Sequence, residues 1–97
     1  MIFDNETNDI GVVTQNTYVE CEFNGTREHG ERICEIRPSC FCIKYNVDVK
    51  NNNIHIRLKT GLYPNGQTGD IDCTKYIDAK TTDGNKKRLY IKYKLTR

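Results

Sequence analysis

The clearest signal along the chain is a two-residue alternation of apolar and polar positions. Ile43, Tyr45, Val47 and Val49 alternate with Cys42, Lys44, Asn46 and Asp48, the period of a strand with one buried face. After Lys50-Asn51-Asn52-Asn53 the alternation resumes as Ile54, Ile56 and Leu58 against His55, Arg57 and Lys59. Asparagine tolerates positive φ, so an Asn-rich step between two β-branched runs predicts a hairpin. Near the end of the chain, Tyr76–Ala79 leads through Thr81-Thr82-Asp83-Gly84-Asn85 into Leu89, Ile91, Tyr93 and Leu95, which alternate with Tyr90, Lys92 and Lys94. Asp83-Gly84 is the turn element of a second hairpin. Two shorter strands are expected at Tyr18–Phe23 and Arg32–Ile36, joined through Asn24-Gly25-Thr26. Residues 60–72 have turn composition and read as a loop, whereas residues 1–15 show no period.

These elements make the chain all-β, a small domain of short antiparallel hairpins. The expected division is an arm over residues 1–17 and one β domain over 18–97, itself composed of a half at 18–42 and a hairpin-rich basic half at 43–97. At 97 residues there is no room for a second independent core. No apolar run approaches the roughly 18–20 residues that span a bilayer, so no membrane partner is expected.

Charge is unevenly distributed. Residues 1–42 carry three arginines against eight carboxylates, a balance of −5; residues 43–97 carry twelve lysines and arginines against five aspartates, a balance of +7. Two such halves are expected to present opposite fields, which bear on partner orientation and association rate.

The five cysteines, Cys21, Cys34, Cys40, Cys42 and Cys73, are dense for a chain of this length. A zinc reading would use Cys40-Phe41-Cys42 with His29 and His55, but structural zinc sites favour two Cys-x2-4-Cys pairs, and only one close pair exists. No metal or other cofactor is expected. A catalytic thiol needs a base and an orienting group. With two histidines and no Gly-framed nucleophile, no enzyme is indicated. Disulfides are the remaining reading: two bridges and one thiol left over, each bridge contributing about 2–4 kcal/mol. Cys40 and Cys42, taken as strand residues with both sulfurs on one face, are expected to hold separate partners because a bond between them closes a tight ring. The pairing otherwise stays open. Cysteine usage points to a secreted, extracellular chain. The acidic start at Met1-Ile2-Phe3-Asp4 has no signal core and fits either a cytosolic protein or a mature secreted form. Sequons at Asn5-Glu6-Thr7 and Asn24-Gly25-Thr26 agree with secretion.

The spacing of Cys21, Asn24-Gly25, Gly30-Glu31, Ile33 and Cys40-Phe41-Cys42 resembles the first subdomain of von Willebrand factor type C domains, over about a quarter of the chain. That family carries about ten cysteines, whereas Cys73 is the only one downstream here. In size and trimmed cysteine set the chain looks like the small tick salivary complement inhibitors of the CirpT type. The resemblance implies a hairpin turned at Asn24-Gly25, a Cys-x-Cys that ties the sheet, and a monomeric inhibitor that binds the fifth complement component in host plasma and blocks its activation by convertase.

Read from the residues alone, the leading class is a non-catalytic binding module, because loops on a stapled scaffold carry recognition. Val12, Val13 and Tyr18 are the apolar candidates for contact with the partner, and Arg27, Arg32 and Arg37 the charged ones; Leu62-Tyr63 is a further possible anchor. An extracellular growth-factor or chemokine binder uses the same scaffold. A single-stranded nucleic-acid binder would use Lys86-Lys87-Arg88 beside Tyr90, Lys92, Tyr93 and Lys94, but the acidic half would repel phosphates. No nucleic-acid partner is expected.

Overall fold

The computed structural model describes residues 1–97 as eight strands and no helix. They are β1 (Ile2–Phe3), β2 (Thr7–Thr14), β3 (Tyr18–Thr26), β4 (Ile33–Pro38), β5 (Ile43–Asp48), β6 (Asn53–Lys59), β7 (Ile71–Thr81) and β8 (Lys86–Thr96). Two four-stranded sheets result, in the orders β1-β3-β6-β5 and β2-β8-β7-β4. The all-β class therefore holds. Through its first five strands the chain alternates between the sheets, then closes each with a hairpin.

Both expected hairpins form. In β5–β6, Tyr45 pairs with Ile56 and Val47 with Ile54, and the turn is made by Asn52 at φ 55°. In β7–β8, Ile77 pairs with Leu89 and Asp78 with Arg88; the turn places Gly84 at φ 88°, and the Asp83 carboxylate accepts the Asn85 N–H at 3.1 Å. The loop expected over 60–72 holds for residues 60–70, which contain no strand, but ends early because Ile71 and Asp72 open β7 opposite Leu95 and Lys94.

The shorter elements differ from expectation. β3 and β4 do not pair with each other; β3 lies between β1 and β6, and β4 is the edge strand beside β7. Asn24-Gly25 is strand rather than turn, with Gly25 opposite Phe3. The reason is steric: a Cβ on Gly25 would stand 2.7 Å from the Met1 sulfur and 3.1 Å from the Phe3 ring. Glycine here lets β1 lie against β3. Residues 1–17, read as an arm, supply β1 and β2, and β2 runs parallel to β8 with Thr7 opposite Tyr90 and Val13 opposite Leu95.

The core is a cluster of sixteen apolar side chains drawn from both sheets. Its least accessible members are Phe23 from β3, Ile54, Ile56 and Leu58 from β6, Ile77 from β7, and Leu89 and Ile91 from β8. These are the same-face positions of the alternating runs. The sheets are also joined by polar bonds. Asn8 Nδ2 on β2 donates to the Glu22 carbonyl on β3 at 2.7 Å, and the buried Thr60 hydroxyl donates to the Thr14 carbonyl at 2.7 Å. Buried polar groups are thus paired, as burial requires.

Strand pairing interleaves the acidic and basic halves. β2, β3 and β4, from the acidic half, lie against β8, β6 and β7, which carry most of the cations. Lys87 Nζ meets Glu6 at 2.9 Å, Glu20 pairs opposite Arg57, and Asp9 lies opposite Lys92. The acidic and basic halves of the sequence are therefore shared between the two sheets rather than set apart as separate layers.

Candidate interaction surfaces

The cysteines come first, because they set how rigid the surfaces are. Cys40 and Cys42 are bonded to each other, and Cys21, Cys34 and Cys73 are free. This corrects two expectations, the separate partners for the Cys-x-Cys and the pair of bridges. Strand β4 ends at Pro38 and β5 begins at Ile43, so the two half-cystines sit in a tight turn. Their Cα atoms are 5.2 Å apart, inside the disulfide range, whereas two residues of extended strand span about 6.6 Å. The bridge does not tie separate strands. Since Cys40 and Cys42 are bonded together, neither thiolate is free for zinc, and no group of three or more His, Cys, Asp and Glu side chains converges on a point.

The free thiols occupy different settings. Cys34 is exposed on β4, where the register shifts between Ile33 and Glu35. Cys21 and Cys73 are partly buried against the core. Burial pushes the Cys21 thiol up to about 11, with the neighbouring Glu22 charge adding to the effect.

The six expected contact residues do not form one patch. Val13 is buried in the core while Val12 is 59% exposed on the outer face of the β2–β8 sheet, opposite Lys94. Arg27 is structural: its Nε donates to Asn52 Oδ1 at 3.0 Å and its terminal nitrogen to the Val49 carbonyl at 2.7 Å, pinning the β5–β6 turn. Arg32 is exposed on the loop leading into β4 and engages Thr82 only through its backbone, whose N–H donates to Thr82 Oγ1 at 3.0 Å. Arg37, on the outer face of the second sheet, pairs with Glu35 at 3.2 Å. Tyr18 opens β3 and is 56% exposed. The Arg57 guanidinium lies 4.2 Å from its ring centroid and Lys59 Nζ 5.6 Å away. Such stacking fixes an aromatic ring without burying it.

Leu62 and Tyr63 separate. Tyr63 is buried and its hydroxyl donates to the Gly69 carbonyl, while Leu62 stands in solvent. Of the sequon asparagines, Asn5 is exposed between β1 and β2, and Asn24 sits mid-sheet with its Oδ1 accepting from Asn53 Nδ2 at 2.7 Å.

On the basic C-terminal strand, Lys87 and Arg88 are engaged in ion pairs, whereas Lys86, Lys92 and Lys94 are not. Arg88 forms a bidentate pair with Asp78, at 2.9 and 3.1 Å, and stacks 4.0 Å from the Tyr76 ring centroid. Tyr76 in turn meets Tyr90 edge to face at 6.4 Å. Asp78, Arg88, Tyr76 and Tyr90 thus form one connected cluster.

Sequence reasoning missed Phe41. Its side chain is fully exposed, and it occupies the middle of the Cys40–Cys42 turn. The signal was present in the Cys-x-Cys spacing, but assigning that spacing to a strand hid it. Comparison with family models, with characterised proteins and with solved structures finds no match for this chain.

Proposed function

We propose that the chain is a secreted, non-catalytic protein-binding module. The observation that carries the reading is Tyr18, more than half exposed yet held in place by Arg57 and Lys59. An aromatic side chain already ordered in the free protein loses little conformational freedom on binding, the property of interface hot spots. The spacing of Cys21–Cys42 still resembles that of type C domains and tick salivary inhibitors, although Asn24-Gly25 lies in a strand and the Cys-x-Cys closes on itself; that resemblance adds a first target, the fifth complement component, whose activation by convertase the bound module blocks. A growth factor or chemokine is the alternative partner for the same scaffold.

The test is lysis of red cells in serum. A stoichiometric binder inhibits only as its concentration reaches that of the fifth component, whereas a protease acts at far lower amounts. Tyr18→Ala and Arg37→Ala are clean surface probes; Arg27→Ala is not, because it also releases the β5–β6 turn. Undiminished lysis at an excess of folded protein eliminates the complement target and promotes the growth-factor or chemokine one.

A further inference from the structure

We infer that Phe41 is the principal anchor of this module and that it enters an apolar pocket rimmed by carboxylates on the partner protein; the inference rests on the protein-binding reading above.

Single exposed apolar residues are ordinary on protein surfaces, so exposure alone does not carry the argument. Three further observations do. First, the position is rigid from both sides. Cys40 and Cys42 are bonded and pack against the core, which directs the residue between them outward. The turn is then fastened to both sheets: Ser39 N–H donates to the Tyr76 carbonyl at 2.9 Å and Ser39 Oγ accepts the Tyr76 N–H at 3.0 Å, while the Cys42 carbonyl accepts the Lys59 N–H at 3.0 Å. An unsupported loop would bury such a ring against its own base, whereas here the backbone holds it away.

Second, Phe41 is not isolated. Lys59, bonded to Cys42, is also opposite Tyr18. Beyond Lys59, the Gly61 carbonyl accepts from Asn16 N–H at 3.0 Å, and Leu62 follows, 74% exposed. Phe41, Tyr18 and Leu62 are thus each tied through the backbone to the Lys59 end of β6. Exposed apolar side chains set about one strand end supply the material of an interface core.

Third, charge selects the occupant. Lys44 lines the cleft beside Phe41 and pairs opposite Arg57; with Lys59 it makes a cationic border in which none of the three cations has an ion-pair partner. The complementary surface is an acidic protein pocket.

The experiment passes human plasma over immobilised wild type, Phe41→Ser, Phe41→Trp and Lys44→Glu, with retained proteins quantified by mass spectrometry and affinities measured on the one enriched. The Phe41→Ser protein should keep its melting temperature, because a fully exposed side chain contributes no burial. Loss of about 30-fold or more in affinity with Phe41→Ser, retention with Phe41→Trp, and slower association with Lys44→Glu are expected. Cys40→Ser with Cys42→Ser, which frees the turn and leaves Phe41 in place, should weaken binding by roughly 3- to 10-fold. If a specifically retained protein binds Phe41→Ser as tightly as wild type, the anchor assignment is overturned even where that protein is the fifth complement component. If the Phe41-dependent partner is another protein, the complement target falls and the anchor stands. Wild type retaining nothing overturns both. A dimer at high concentration that Phe41→Ser abolishes assigns the pocket to a second copy of this chain and overturns the acidic-partner assignment.

Discussion

The Glu31 carboxylate accepts from the Met1 ammonium at 2.9 Å through one oxygen, and from the N–H groups of Glu28 and His29 at 2.7 and 3.1 Å through the other. This buried acid organises the Arg27–Glu31 loop and holds β1 in place. The Met1 ammonium, then the N–H of His29, hold its carboxyl down at about 2, from the ordinary value of 4.5. A depressed carboxylate contributes stability that is fully present above its unfolded value and is lost as pH falls through the folded one. Glu31→Gln should therefore melt well below wild type at pH 7, with the difference shrinking between about pH 4.5 and pH 2. Thermal melts of both proteins across that range check this; a difference that persists unchanged at pH 2 would show that charge is not its source.

Gly25 makes a second test of β1. Gly25→Ala pushes a Cβ against Met1 and the buried Phe3 ring, and overpacking of this kind costs about 1–3 kcal/mol. Urea unfolding should show it, and shortening Met1 to alanine in the same chain should recover part of the loss, since the Met1 sulfur is the nearest atom.

Thiol chemistry distinguishes the free cysteines. Intact mass should lie two hydrogens below the fully reduced chain, for the single Cys40–Cys42 bond, and three thiols should titrate in denaturant. In the native protein iodoacetamide should reach Cys34 first. Cys21 should react slowest, since a thiol held up at about 11 has scarcely any thiolate at neutral pH. Prompt native labelling of Cys21 would contradict its placement.

Packing gives a fourth expectation. Ile56→Ala, at a fully buried position in the centre of β6, should cost about 2–5 kcal/mol. Tyr45→Ala, its cross-strand partner on β5, should cost far less because Tyr45 is exposed. Comparable losses would mean that the β5 edge is more enclosed than the fold implies.

What the alternation revealed, and what it concealed, has a common cause. The β5–β6 and β7–β8 hairpins were legible because each strand keeps an unbroken period of two with one buried face. β2 was not, because its register shifts between Asp9 and Val12 around Gly11 at φ 85°, so its inward residues Ile10 and Val13 are three apart instead of two. β4 has the same irregularity at Cys34, with Ile33 and Ile36 both inward. Asn24-Gly25 is turn chemistry by composition and became strand only through Met1 and Phe3, a tertiary contact that local sequence does not contain. Of the expected contact residues, Tyr18 was readable as an exposed strand-end aromatic. Arg27 was not readable as structural, because its partners Val49 and Asn52 lie more than twenty residues away, and Phe41 was missed because its exposure follows from a turn where a strand was expected.

The parallel pairing of β2 with β8 also governs how the chain acquires its shape. β8 is flanked on both sides, by β2 and β7, so the edge strand β2 has no partner in its sheet before residues 86–96 exist. Thr7 must wait for Tyr90, and nearly the whole chain has been synthesised by then. Folding is consequently a late and slow event dominated by distant pairings. In the interval β2 presents unpaired strand to its surroundings, the condition under which a β protein aggregates or recruits a chaperone. The sheet that completes last is thus the one whose formation decides the yield of native protein.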